Sequence, residues 1–431
     1  MKRLLLSFLA GIFAVVITAQ PSARQELQKD VKCSASNCRV YPEPAQRKLT
    51  PAPKGKRPFY MSHFGRHGSR YLINTRDYRY VLDMLEKAES RGKLSELGRD
   101  VLGRIKRMDA DAQDKLGELT ELGVSQERGI ARRMAENFPE LFKGDAVVNA
   151  HSTMVLRCVF SMENALHELL SMNPRLQVTH EATRRDMHLL SYIDRDLNAK
   201  TNSTELRAIY DEFCRRNSCW ERVARSLFND TTYLREMANG ERLNYYLFRM
   251  AGSVQNTELS SVLTLYDLFT PDEIYQNWKM ENVYWFLGYG KTDLNGGRQP
   301  YSQRYLLRQM ISDADSCILL DRPGVMLRYG HETSLLPLVC LMDINHYGQT
   351  FNDLDQLDEK GWVNYRIFPM GANIQMVFYR RNQKDQDVLV KLLLNEQEAT
   401  LPVKTDVAPY YHWKDVRDFY LKMLDRYEQN Q

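Results

Sequence analysis

The stretch "RHGSR", residues 66–70, sets two arginines around a histidine and a glycine. Guanidinium groups present planar forks of N–H donors that match phosphate oxygens. His67, between the arginines, has a ring nitrogen able to attack phosphorus. Positive neighbours lower its pKa, so it stays neutral and nucleophilic in moderately acidic solution. Gly65 and Gly68 are expected to let the backbone approach an anion closely. Two later segments carry matching chemistry: "HSTMVLR" (151–157) brings Arg157, and "GHETSLLPL" (330–338) brings His331 and Glu332. Arg66, Arg70 and Arg157 are therefore candidate phosphate-binding residues, with His331 as a further donor. His67 and Glu332 form the candidate catalytic pair. Glu332 would protonate the leaving oxygen, then activate water against a phosphohistidine. The arginines do the charge work, so neither metal nor cofactor is expected.

Taken singly, each signal has a bland explanation. An Arg-His-Gly-x-Arg stretch is as often a surface loop, and an arginine on a helix is more often solvated. His331-Glu332 also fits an ordinary helix start. What gives them joint meaning is position. Residues 59–64 predict a strand running into the turn at Gly65 and Gly68, and 145–153 ("DAVVNAHST") a strand ending in polar turn residues. Residues 317–342 predict strand, turn and helix. All three candidate segments thus fall at strand-to-turn junctions, and open α/β sheets gather ligands at the carboxyl ends of their strands.

The remaining elements are coarser. Apolar residues from Tyr80 to Ile105 recur at helical spacing, predicting helix over 76–117. Thr120 is a plausible N-cap for a helix with Val124, Ile130, Ala131 and Met134 on one face. Residues 362–381 and 388–395 predict a closing hairpin, and 412–427 an amphipathic helix. From about 170 to 305 the pattern is charged, amphipathic and helical. The expected fold class is α/β: a mixed central sheet flanked by helices, with an inserted, mainly helical domain. The core would comprise 58–169 and 306–431, the insertion 170–305, and an extended lead-in 20–57.

The chain has 431 residues, 43% hydrophobic and 26% charged, which is an ordinary globular composition. Its formal charge of +4 comes without a basic block, which argues against a nucleic-acid partner. Lys2 and Arg3 precede an apolar run to Ala19, so 1–19 is expected to be an export signal. No later stretch is apolar enough for stable membrane insertion, which places the mature chain in the periplasm or outside the cell. Cys33/Cys38 and Cys214/Cys219 are spaced to close small disulfide loops in such a compartment. Cys158, Cys317 and Cys340 have apolar surroundings that suit packing, and no cysteine spacing matches a zinc cluster.

Four motifs in order, "RHGSR", "GELTELGVSQ" (117–126), "HSTMVLR" and "GHETSLLPL", resemble the histidine phosphatase superfamily in its branch of acid phosphatases and phytases. "LLPL", "GANIQMVFYR" (371–380) and "LLLNEQEATLP" (392–402) are most similar to multiple inositol-polyphosphate phosphatases. The resemblance runs from about residue 58 to the C-terminus and is thin through the helical middle. It implies that His67 is the nucleophile, that Arg66, Arg70 and Arg157 bind phosphate, and that His331 contacts it. Glu332 stands where one form of the family has Asp; where the other form has its acid, this chain has Thr333. Leu72 replaces a frequent proline, which predicts a less rigid turn, and His151 replaces a frequent arginine, which predicts weaker or pH-tuned binding.

The expected activity is an exported phosphomonoesterase acting on inositol polyphosphates, phytate foremost, with a small phosphorylated molecule as its partner. Arg184, Arg185 and Lys200 are candidate extra cations for such a substrate. A broad-specificity acid or sugar-phosphate phosphatase is the nearest alternative, and a catalytically silent phosphate-binding protein the alternative of another class.

Overall fold

The computed structural model describes residues 21–42, 48–230, 232–233 and 239–430. The expected export signal over 1–19 lies outside the described residues. Among them, no helix is long and apolar enough to cross a membrane.

An eight-stranded mixed sheet runs through the molecule in the order β3-β2-β4-β1-β5-β6-β7, with β8 also on β6. Its parallel half contains β1 (Arg57–Arg66), β2 (Val147–Ser152), β3 (Gln177–Glu181) and β4 (Gly324–Gly330). Its antiparallel half contains β5 (Asn373–Arg380), β6 (Leu389–Leu394), β7 (Gln397–Glu398) and β8 (Tyr410–His412). β1 sits at the seam, parallel to β4 and antiparallel to β5. From Phe59 onward every residue of β1 is buried, as is every residue of β5 and β6. Central strands covered on both faces explain these near-continuous apolar runs.

Successive side chains alternate between two cores. Met376 and Phe378 join Phe64, Leu336 and Val416 on one face; Val377 and Tyr379 join Met61, Val148, Ile130 and Leu166 on the other. Helices Arg304–Leu319, Glu332–Leu341 and Trp413–Gln429 cover the first face, and Glu121–Asn137 and Leu156–Met172 the second.

The helix expected over 76–117 is two, Thr75–Glu89 and Glu96–Ala112. Gly92 at φ 66° turns the chain between them, and the Ser95 hydroxyl caps the second by accepting from the Gly98 N–H. Both pack against Val223–Trp278 rather than on the sheet, forming a third core. The segment expected as an insertion over 170–305 includes β3, which pairs with β2; among its described residues no further named strand follows the Arg184–Leu190 helix.

The expected extended lead-in is also folded. Ala23–Lys29 is a helix opened by a Ser22/Gln25 capping box, and Val31–Cys38 is a 3₁₀ segment with Cys33 to Cys38 buried. Buried polar groups anchor it. Asn364, fully buried, donates to the Ser36 hydroxyl at 2.8 Å and accepts from the Trp278 indole at 3.0 Å. All seven cysteines are free thiols, so neither expected disulfide loop is closed.

Asn364→Ala strands both the buried Trp278 N–H and the buried Ser36 hydroxyl. It should cost about 2–4 kcal/mol of stability, read as a lowered denaturant midpoint with an unchanged slope.

Candidate active site

β1, β2 and β4 run parallel, so their carboxyl ends meet at one edge. Arg66 pairs with Gly330 across β1 and β4, and Ser152 with Tyr329 across β2 and β4. The chain leaves all three strands at the same level. That brings His67, the 151–157 segment and His331-Glu332 together, as strand order alone could not have told.

Arg66 is fully buried and spoken for on three sides. Nη1 donates to the Phe368 carbonyl at 2.7 Å and Nη2 to the Asn37 carbonyl at 2.8 Å. Nε lies 3.1 Å from Glu332 Oε2, an ion pair rather than an aligned hydrogen bond. Asn37 lies in the N-terminal 3₁₀ segment, a contribution that no sequence motif signals. Arg70 Nη1 donates to the Tyr71 carbonyl at 3.0 Å, while the buried Nε atoms of Arg70 and Arg157 have no protein acceptor. Arg157 stands in the first turn of the Leu156–Met172 helix.

His67 Nδ1 lies 2.9 Å from the Gly68 carbonyl. A carbonyl only accepts, so Nδ1 carries the proton and Nε2 keeps its lone pair. Nε2 is buried without a hydrogen-bond partner, 3.7 Å from Glu332 Oε2. Burial first, then Arg66, hold the His67 pKa well below its ordinary value, so the ring is neutral. Burial likewise lowers His331 to about 4. Its Nε2 lies 3.3 Å from Thr153 Oγ1, and its ring meets His67 edge-on at 5.6 Å. Burial works to raise Glu332, but Arg66 above all holds it well below the usual carboxylate range. His67 is also a neighbour of that carboxylate; being neutral, it adds little. Glu332 opens the Glu332–Leu341 helix, whose N-terminal dipole favours the same charge.

Neutral nucleophile, carboxyl and arginines within one pocket can transfer a phosphoryl group. His67, His331 and Glu332 also offer ligand atoms within 4.8 Å of one another. Arg66, already against Glu332, supplies positive charge where a cation would sit.

Two glycines set how the loop packs. A Cβ on Gly68 would stand 2.6 Å from the Gly123 carbonyl oxygen, and one on Gly123 2.3 Å from the Ser69 carbonyl oxygen. They let the loop press on the Glu121–Asn137 helix. That helix start clamps Ser69: the Thr120 N–H and hydroxyl donate to its carbonyl at 2.9 and 3.1 Å, and Gln126 accepts from its N–H at 2.9 Å. "GELTELGVSQ" thus holds the loop, a role beyond the N-cap read from sequence. Leu72 does not loosen the turn either. Its N–H donates to Tyr78 Oη at 3.2 Å and its carbonyl accepts from Gly117, the first of which a proline could not do.

Other polar residues near the site have acidic partners. His151 Nδ1 pairs with Asp186 at 3.1 Å and Glu181 at 3.4 Å. Arg185 pairs with Glu181 and Lys200 with Glu205, and neither they nor Arg184 line the cavity beside the site. That cavity, about 980 Å³, runs from Asn37 and Thr333 past Tyr289 and Tyr284 to Tyr210 and Arg249.

The sequence matches the histidine phosphatase superfamily (branch 2) over residues 65–395. The chain belongs to that family. It is a histidine-type phosphatase. No curated protein matches its sequence. Among solved structures it is similar to Bifidobacterium longum multiple inositol polyphosphate phosphatase in complex with inositol hexasulfate. There the TM-score is 0.76 at 15% identity, over 90% of this chain and 97% of that one. A phytase from D. castellii gives 0.67 at 15% identity, covering 96% and 90%. Hafnia alvei phytase with myo-inositol hexakis sulphate gives 0.53 at 11%, covering 86% and 98%. At these identities the likeness is one of fold, and this histidine phosphatase shares it over nearly its whole length.

Gly123→Ala forces backbone against backbone at the loop and should lower kcat by about 100-fold in a folded protein. Gly103→Ala, on the Glu96–Ala112 helix with nothing near its Cβ, is the control and should leave kcat unchanged.

Proposed function

We propose that this histidine phosphatase is an exported phosphomonoesterase that hydrolyses inositol polyphosphates through a phosphohistidine. The observation that carries the reading is the His67 ring: Nδ1–H is held on the Gly68 carbonyl, and Nε2 is free beside Glu332 and the arginines. Nε2 attacks phosphorus, and the bond to the ester oxygen breaks. Glu332 gives that oxygen its proton, and the alcohol leaves. The Glu332 carboxylate then takes a proton from water, whose oxygen attacks the phosphohistidine and releases inorganic phosphate. Arg66 acts chiefly as buried charge, since its nitrogens already hold protein oxygens; Arg70 and Arg157 offer the free N–H donors. His331 donates beside them.

Glu332 is ionised in the free enzyme and must be protonated for the first step. A phosphate among the arginines offsets the field that keeps it ionised, so substrate binding raises its pKa. The cavity volume suits a polyphosphorylated ring, and two of the structural relatives hold inositol polysulfates. Export rests on the residues of 1–19.

One observation favours a second reading. The cavity cations Arg215, Arg242 and Arg249 are matched by Asp211, Glu241 and Glu281, and Arg249 pairs with Asp77 at 3.0 Å. A lining so balanced also suits smaller phosphomonoesters such as sugar phosphates.

Phosphate release from phytate and from an aryl phosphate between pH 4 and 8 separates the two. Turnover of phytate that His67→Ala lowers by at least roughly three orders of magnitude supports the first reading; turnover of the aryl ester alone supports the second; His67→Ala at wild-type rate removes both. Glu332→Gln should cut phytate hydrolysis by about 100-fold or more and the aryl ester, whose leaving group needs no proton, by less than about 10-fold. Activity should hold into acid solution, because burial and Arg66 keep His67 neutral well below the ordinary histidine range, and fall as pH rises and Glu332 in the substrate complex loses its proton. Chelator should leave the rate unchanged.

A further inference from the structure

One ionisable group beside the site has no part in this chemistry. Glu127, on the Glu121–Asn137 helix, is 2% exposed. Its surroundings are the sheet and the Leu156–Met172 helix, where Tyr329 and Cys158 are its titratable neighbours. No cation faces it among the described residues. One carboxyl oxygen, Oε1, has no hydrogen-bond partner, and the Ser161 hydroxyl is the neighbouring group that favours its charged form. Bare burial of this kind costs a few kcal/mol, so a carboxyl here calls for a reason.

The reason lies one bond further on. Ser161, fully buried on the Leu156–Met172 helix, accepts the Gly68 N–H at 3.1 Å. With its oxygen accepting from Gly68, its own proton is free to go to Glu127. Gly68 is the residue whose carbonyl holds His67 Nδ1. Both polar groups of Gly68 are therefore committed, the N–H to Ser161 and the carbonyl to the histidine. Rotation of the peptide units that flank Gly68 would break both bonds together.

We propose that Glu127 is a positioning residue: through Ser161 it orients Gly68, and through Gly68 it fixes the tautomer and direction of the His67 ring. The chain of groups is Glu127 carboxyl, Ser161 hydroxyl, Gly68 peptide, His67 imidazole. It crosses from the Glu121–Asn137 helix to the Leu156–Met172 helix and then into the loop, so two helices set one ring. Burial pushes the Glu127 pKa up to about 8, so the group is neutral in acid solution and does not compete with a substrate phosphate for the arginines. A carboxyl suits the place because its oxygen accepts from Ser161 without bringing charge near the anion.

This inference rests on His67 being the nucleophile, and the test keeps the two apart. Ser161→Ala, Glu127→Leu, their double variant, Glu127→Gln and His67→Ala are compared for kcat, for inhibition by inorganic phosphate and for thermal midpoint. Ser161→Ala and Glu127→Leu should each lower kcat by about 10- to 100-fold, as misorientation of a reacting group does. The phosphate inhibition constant should stay within about threefold, because the arginines are untouched. The double variant should lose no more than the worse single one, as for groups acting in series. Glu127→Gln, whose amide oxygen still accepts from Ser161, should keep kcat within about threefold. Wild-type kcat in Ser161→Ala overturns the proposal, as do losses that add, or kcat and phosphate binding falling together. If Glu127→Leu does not fold, Ser161→Ala alone decides. If His67→Ala remains active, it is the nucleophile assignment that fails, whatever the other variants do.

Discussion

Three arginines share one buried pocket, and the arrangement of much of the molecule follows from keeping them there. Arg66 is fully removed from water and Arg70 nearly so, with Arg157 alongside. Like charges at such burial repel and lack hydration, at several kcal/mol per ion unless protein groups compensate. The compensation comes from far along the chain. The Asn37 carbonyl arrives from the N-terminal 3₁₀ segment, the Phe368 carbonyl from the approach to β5, and the Glu332 carboxylate from the helix after β4. A site that concentrates positive charge therefore ties the N-terminal segment to residues about 300 positions further along the chain.

The same demand for fixed geometry explains the loop after β1. It is short, glycine-bearing and pressed onto a helix backbone at distances that no Cβ would allow. Thr120 and Gln126 hold Ser69, Ser161 holds Gly68, and Gly68 holds His67. Rigid elements on one face of the sheet, the Glu121–Asn137 and Leu156–Met172 helices, thus set an imidazole at the end of β1. Preorganisation of this kind lowers the cost of ordering a group for reaction.

Beside the arginine pocket lies a different layer. The Thr204–Asn217, Gly240–Ser253 and Pro271–Tyr289 helices, with the N-terminal segment, wall the 980 Å³ cavity. Its lining is rich in tyrosines and balanced in charge, and Thr333 and Asn37 stand where it joins the arginine cluster.

The segments at 66–70, 151–157 and 330–338 made a histidine-type phosphatase legible, because each follows a strand pattern and together they bring arginines and histidines to one end of a sheet, which none of them signals alone. Alternation and apolar runs also made β1, β4, β5 and β6 legible, since burial on one or both faces imprints a local period. What each glycine touches was not legible: Gly68 and Gly123 lie far apart in sequence, and only the fold makes them neighbours. Nor were Asn37 and Phe368, which act through backbone carbonyls that every residue has. Arg184, Arg185 and Lys200 look suitable by charge, yet acidic partners on the same surface absorb two of them. Side-chain chemistry is written residue by residue and survives in the sequence. Contacts between backbone groups, and the pairing of charges brought in from distant segments, exist only once the chain has folded.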